Sequence, residues 1–139
     1  MKKVYLVGSL SDTMVPLVAN YLRSRGYDAF DSWYAAGPEA DMKHYEWARN
    51  NGWSLAQTLS GHAAQNIFRF DTHHIQTSQA VVSVGLPGKS ASWELGFAHG
   101  MRIPTYIFHY KGADPDRLDV MLAGCKFVFT LDELDGALR

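Results

Sequence analysis

The sequence predicts an α/β protein with a mostly parallel central sheet of about five strands and helices on both of its faces. Three observations predict it. Short apolar runs such as Val4 to Val7 and Ala80 to Val84 end at glycines or turn residues. Longer segments between them carry apolar residues at helical spacing. The two kinds of segment alternate along the chain, so successive strands lie parallel and connect through helices.

Val4 to Val7, closed by Gly8-Ser9, reads as a buried strand. Asp12 can cap a helix from about Thr13 to Arg25, with Val15, Val18 and Leu22 on one side and Gly26 as its stop. Asp28 to Phe30 is a short strand, followed by loop chemistry through Trp33 and Tyr34 and over 35–41, centred on Gly37-Pro38. Met42 to Asn50 reads as a short polar helix closed by Asn51-Gly52. Ser54 can cap one long helix whose Leu55, Leu59, Ala63, Ile67 and Ile75 form an apolar stripe. Ala80 to Val84 is a central strand, Leu86 to Lys89 a loop, and Ser90 the cap of a helix through about Arg102. Pro104 to His109 is a strand, Asp114 to Leu122 a helix, Phe127 to Phe129 a strand and Leu131 to Leu138 a last helix.

The 139 residues are expected to form a single domain over 1–139. With 47% apolar and 19% charged residues the chain is globular. A net charge of −1 supplies no basic field for a nucleic-acid polymer, although a small anion needs only local donors. The single cysteine, Cys125, allows no intrachain disulfide and fits a reducing cytoplasm. The first apolar run is too short for a signal segment or a membrane span.

Ligands of such sheets bind at the carboxyl ends of the strands, which directs attention to Gly8-Ser9-Leu10-Ser11, Trp33-Tyr34 and 85–90. Gly8, Ser9 and Ser11 stand where amides and hydroxyls can hold a phosphate or sugar oxygen, or form an ordinary turn. Gly88-Lys89-Ser90 brings a cation, a hydroxyl and a helix start together, which suits an anion, without Walker spacing. Trp33 and Tyr34 can stack on a base or be buried under their loop. Glu94 lies near the start of a helix. It is either a partner of the helix dipole or a chemical group, and no capping box explains it, because Ala91 stands three residues before it. Asp71 falls on or beside an apolar stripe, as a paired boundary residue or as an acid whose pKa burial raises. Gly96 and Gly100 on the Glu94 helix imply a close packing contact. His73 and His74 are adjacent, and no HExxH or cysteine pair is present, so the histidines give no metal signature.

Taken together, Val4-Tyr5-Leu6-Val7-Gly8-Ser9, the segment from Asp71 through Ile75 to Val82, and Ser90-Ala91-Ser92-Trp93-Glu94-Leu95-Gly96-Phe97-Ala98 resemble the nucleoside 2-deoxyribosyltransferase family, which includes nucleoside 5′-monophosphate N-glycosidases. The resemblance implies a flavodoxin-like three-layer sandwich. It places the family's nucleophilic Glu at Glu94, its base-contacting Asp at Asp71, and a nearby tyrosine at Tyr5. Gly88 stands where many of the transferases carry a sugar-binding Asp, with Ser90 and Ser92 as the neighbouring hydroxyls. Family members assemble as homo-oligomers and often complete the site with a neighbour's Asn; no matching Asn stands near Gly124-Cys125. The function this implies is cleavage or transfer at the N-glycosidic bond of a nucleoside or nucleoside 5′-monophosphate, chemistry that requires no metal or organic cofactor. The alternatives are a non-catalytic nucleotide-binding module and a glycohydrolase acting on NAD or a related dinucleotide.

Overall fold

A computed structural model describes residues 1–36, 40–116 and 118–139. Five parallel strands run in the order β2-β1-β3-β4-β5: β1 (Lys3–Val7), β2 (Asp28–Phe30), β3 (Ala80–Val84), β4 (Thr105–Phe108) and β5 (Lys126–Val128). This is the flavodoxin-like 2-1-3-4-5 order, with a topological switch between β1 and β3. In register, Tyr5 lies beside Phe30 on one side and Val81 on the other.

Side chains alternate along each strand, and the alternation sorts them into two cores. Val4, Leu6, Val82, Val84, Phe108 and Val128 pack under α1 (Met14–Ser24) and α6 (Leu131–Leu138). Tyr5, Val7, Val81 and Ile107 face α4 (His62–Gln76) and α5 (Lys89–Gly100), which contribute Ile75, Ala91, Leu95 and Ala98. Each fully buried Val, Leu or Ile contributes about 1.5–3 kcal/mol. No helix among the described residues is long and apolar enough to cross a membrane.

Several elements differ from the sequence expectation. The helix expected from Ser54 is two. Ser54 caps α3 (Leu55–Ser60) through a reciprocal box with Gln57, and Gly61 then takes an extended conformation before α4 starts. The apolar stripe is a stripe in spacing only, since Leu55, Leu59 and Ile67 are exposed and Ile75 alone of the larger ones is buried. Helix α5 begins at Lys89 with Gly88 as its cap, so Ser90 sits inside the first turn and makes no capping bond. Asp12 does bind the Met14 amide at 2.9 Å, with Thr13 as the boundary residue. In place of a helix over 114–122, a 3-10 turn runs from Val120 to Gly124, capped by Asp119; Arg117 lies outside the described residues. The loop expected over 35–41 is entered from a 3-10 turn (Ser32–Ala36) and left into α2 (Ala40–Asn50), while Gly37-Pro38 lies outside the described residues. Gly96 and Gly100 make no close contact: a Cβ at either would have nothing within 4 Å.

Candidate functional site

Tyr5 occupies the middle of β1 and projects into the α4–α5 side of the sheet, where it is 1% exposed. Its ring stacks on Phe30 with centroids 5.4 Å apart, and Phe30 stacks on His74 at 4.0 Å. This column fixes the direction of the phenol. The Tyr5 hydroxyl donates a hydrogen bond to the Glu94 carboxylate, which reaches in from the second turn of α5. Asp71, half-buried on α4 one turn before Ile75, lies close enough for its charge to act on both groups.

The electrostatics follow from this packing. Burial, and to a lesser degree the Asp71 charge, pushes Glu94 from 4.5 up to about 7, while the Tyr5 hydrogen bond opposes the rise. Tyr5 is held far above its ordinary value, first by burial and then by the charges of Glu94 and Asp71, so it stays a donor throughout the physiological range. The helix-dipole reading of Glu94 does not fit this position. No acid occupies the first turn of α5, and the dipole's influence fades beyond it.

A cleft of about 810 Å³ opens at the carboxyl ends of β1, β3 and β4. Three segments of the chain supply its walls. The β1 end gives Gly8, Ser9 and Ser11, the β3 end gives Gly88, Lys89 and Ser90, and the β4 end gives His109, Tyr110 and Lys111. Gly8 fits because a Cβ there would meet Val15 at 3.0 Å, and Gly85 turns the chain out of β3 with φ +84°. The Ser9 and Ser11 hydroxyls share a 2.8 Å hydrogen bond. Tyr110 donates to Asp12 at 2.5 Å, which ties the β4 end to the start of α1; burial and this bond push Tyr110 up to about 12.

The predicted residues thus fall into two adjoining groups. Tyr5, Asp71 and Glu94 converge on one face of the sheet, and Gly8, Ser9, Ser11, Gly88, Lys89 and Ser90 line the cleft at its end. Glu94 is not itself a cleft wall. Ser90 and Ala91 are, and Glu94 follows Ser90 by one helical turn, about 6 Å along α5. Ser92 is half-buried on α5 and lines no part of the cleft. Trp33 and Tyr34 are not walls either. The Trp33 indole donates to the Leu6 carbonyl at 2.7 Å and packs against both cores, with Tyr34 edge-on to it at 6.0 Å. The sequence reading missed His109, Tyr110, Lys111 and Asp12. The rule about strand ends would have found the first three had it been applied to the end of β4.

A 2-1-3-4-5 parallel sheet with a cleft at its switch point defines a doubly wound α/β protein. No family model and no curated protein matches the sequence. Among solved structures, the 2-deoxyribosyltransferase from the psychrotolerant bacterium Bacillus psychrosaccharolyticus aligns with a TM-score of 0.67 and 17% identity, covering 99% of this chain and 96% of that one. A conserved protein from Enterococcus faecalis V583 aligns with a TM-score of 0.63 and 13% identity, covering 99% and 97%. The chain has the fold of a 2-deoxyribosyltransferase.

Proposed function

We propose that this chain cleaves or transfers the N-glycosidic bond of a nucleoside 5′-monophosphate or the corresponding nucleoside, with Glu94 as nucleophile. The observation that carries the reading is the convergence of Tyr5, Glu94 and Asp71 on one sheet face, one helical turn from a cleft lined by Lys89 and by serine hydroxyls. Likeness of fold to a 2-deoxyribosyltransferase supports it.

The step is a double displacement. The Glu94 carboxylate attacks C1′, the C1′–N bond breaks, and its electron pair leaves with the base. Asp71 acts here in its protonated form and passes its proton to the departing base, which leaves neutral. Water or a second base then attacks C1′ of the glycosyl ester and gives up its proton to the Asp71 carboxylate, and the bonding pair returns to Glu94. A pKa of about 7 keeps Glu94 more basic, and so more nucleophilic, than an ordinary carboxylate, with about half of it ionised at neutral pH. Tyr5 holds the attacking oxygen in place. The cleft takes the 5′ side of the substrate: the α5 amino end and Lys89 match a phosphate, and the distance from Ser90 to Glu94 along the helix suits a sugar lying between phosphate and nucleophile. The protein is read as a homo-oligomer in which each chain carries this site.

Incubation with a panel of nucleosides, 5′-monophosphates and NAD, followed by chromatography of free base or nicotinamide, tests the reading. Base release that Glu94→Ala abolishes is the expected result. Equal release by the variant removes Glu94 from its role. Tight calorimetric binding without turnover moves the protein to the non-catalytic class, and nicotinamide as the product moves it to the dinucleotides.

A further inference from the structure

The cleft at the strand ends is larger than one phosphate requires. Its volume of about 810 Å³ falls within the range of about 300–1,000 Å³ that holds a whole small-molecule ligand. Glu94 is not among its walls, so only the 5′ side of a substrate attacked by Glu94 enters it. Lys89, at the start of α5, accounts for one anionic group. A second ammonium, Lys111, reaches the same cleft from a different wall, the segment that leaves β4. Its Nζ lies 5.8 Å from the centre of the Tyr110 ring, and the Tyr110 hydroxyl is tied to Asp12, so Lys111 sits on a braced wall. Neither ammonium pairs with a carboxylate of a described residue. Asp12 is the one acid among the described wall residues, and both of its oxygens are engaged, by the Met14 amide and by Tyr110. The paired hydroxyls of Ser9 and Ser11 add donors on the third wall.

We infer that the cleft takes a 5′-diphosphate group, with one phosphate at Lys89 and the other at Lys111. The inference rests on the proposed reaction for the nucleoside that carries the group; Lys111 and the second phosphate are what it adds. A monophosphate offers one anionic centre, and two ammoniums on separate walls match two centres better than one. A single phosphate held at Lys89 leaves Lys111 facing only water and most of the cleft unfilled. A diphosphate spans both cations and takes up that space. A terminal diphosphate and the bridging diphosphate of a dinucleotide present this same chemistry to the two lysines.

Calorimetric titration of the full chain carrying Glu94→Gln, in which no turnover consumes a ligand, reads the cleft directly. Inorganic pyrophosphate and inorganic phosphate are the first probes, because they carry no base. Pyrophosphate should bind at least about tenfold more tightly than phosphate, the low end of what a hydrogen bond to a charge supplies. Lys111→Met keeps an apolar stem over Tyr110 and removes the charge. It should erase the preference while the phosphate affinity stays within about twofold. Lys126→Met, at the amino end of β5 and not on the cleft, should leave the preference intact. Titration with AMP, ADP and NAD separates the two sources. ADP as the tightest ligand assigns a terminal diphosphate, NAD as the tightest assigns a bridging one, and AMP at least as tight as both overturns the inference. Equal affinity for the two inorganic anions also overturns it, as does a preference that survives Lys111→Met or that Lys126→Met removes equally. Base release from a 5′-monophosphate by the wild type, without any diphosphate preference, sinks this inference and leaves the reaction standing. The preference without base release from any nucleotide does the reverse.

Discussion

Replacing Glu94 by Gln should stabilise the protein at alkaline pH and leave it unchanged in acid. Gln keeps an oxygen for the Tyr5 hydroxyl and removes only the charge. In the unfolded chain Glu94 titrates near 4.5, and in the folded chain at about 7. Below 4.5 both states hold the proton, and Glu94 has no effect on the balance. Between the two values the folded state keeps a proton that the unfolded state has lost. Above about 7 the folded state must carry the charge against desolvation and against Asp71, so stability is lost as pH rises through that window. A rise from 4.5 to about 7 corresponds to at most about 3 kcal/mol, and the solvent that reaches a half-buried carboxyl reduces it to about 1–2 kcal/mol. Urea unfolding of wild type and Glu94→Gln, at about pH 4.5 and about pH 8.5, measures the difference. The variant should gain about 1–2 kcal/mol at the higher pH and close to nothing at the lower. A difference of the same size at both pH values refutes the electrostatic account of Glu94.

Two further outcomes follow from the same geometry. Tyr5→Phe removes the hydrogen bond that holds the Glu94 pKa down, so the acid limb of the kcat/KM profile for base release moves to higher pH by about one unit or more, the value of a hydrogen bond to a charge; a lower rate with an unmoved limb would mean that Tyr5 does not act through Glu94. Lys89→Ala removes a cation from the cleft and should raise KM for a 5′-monophosphate about tenfold while leaving the parent nucleoside unchanged, as steady-state kinetics on the pair would read; equal losses on both would take the phosphate out of the cleft.

The strands were legible because each is an apolar run cut short by turn chemistry, and the structure moves their ends by only a residue or so. The helices were less so, because periodicity records spacing and not burial. The stripe of Leu55, Leu59 and Ile67 has the spacing of a core face and lies in solvent. The break at Gly61 falls between residues that keep that spacing, so the Ser60-Gly61 turn pair marks it and the periodicity does not. Gly96 and Gly100 show the converse error. Their cost implied a packing partner, and their own chain holds none. At the site, Asp71 stood out locally as an acid beside an apolar stripe, and Glu94 as a carboxylate near a helix start that no capping box explains. The Tyr5–Glu94 contact joins residues far apart in sequence, and only the family resemblance put them together. Trp33 illustrates the limit of reading a loop aromatic: its indole nitrogen is taken by the Leu6 carbonyl, a tertiary contact with no sequence signature.

The placing of Glu94 argues for selection on something other than stability. A face that packs Val7, Ile75, Val81, Leu95 and Ile107 would accept an apolar or neutral residue at 94 with less cost than a carboxyl. Instead the fold places a second acid, Asp71, within electrostatic reach and puts a phenol against the first. Three groups whose pKa logic conflicts are thereby held together beside an open cleft. Stability alone disfavours that arrangement at every neutral or alkaline pH. A displacement at an anomeric carbon has a use for each member: a carboxylate basic enough to attack, a donor to aim it, and an acid positioned to meet the departing base.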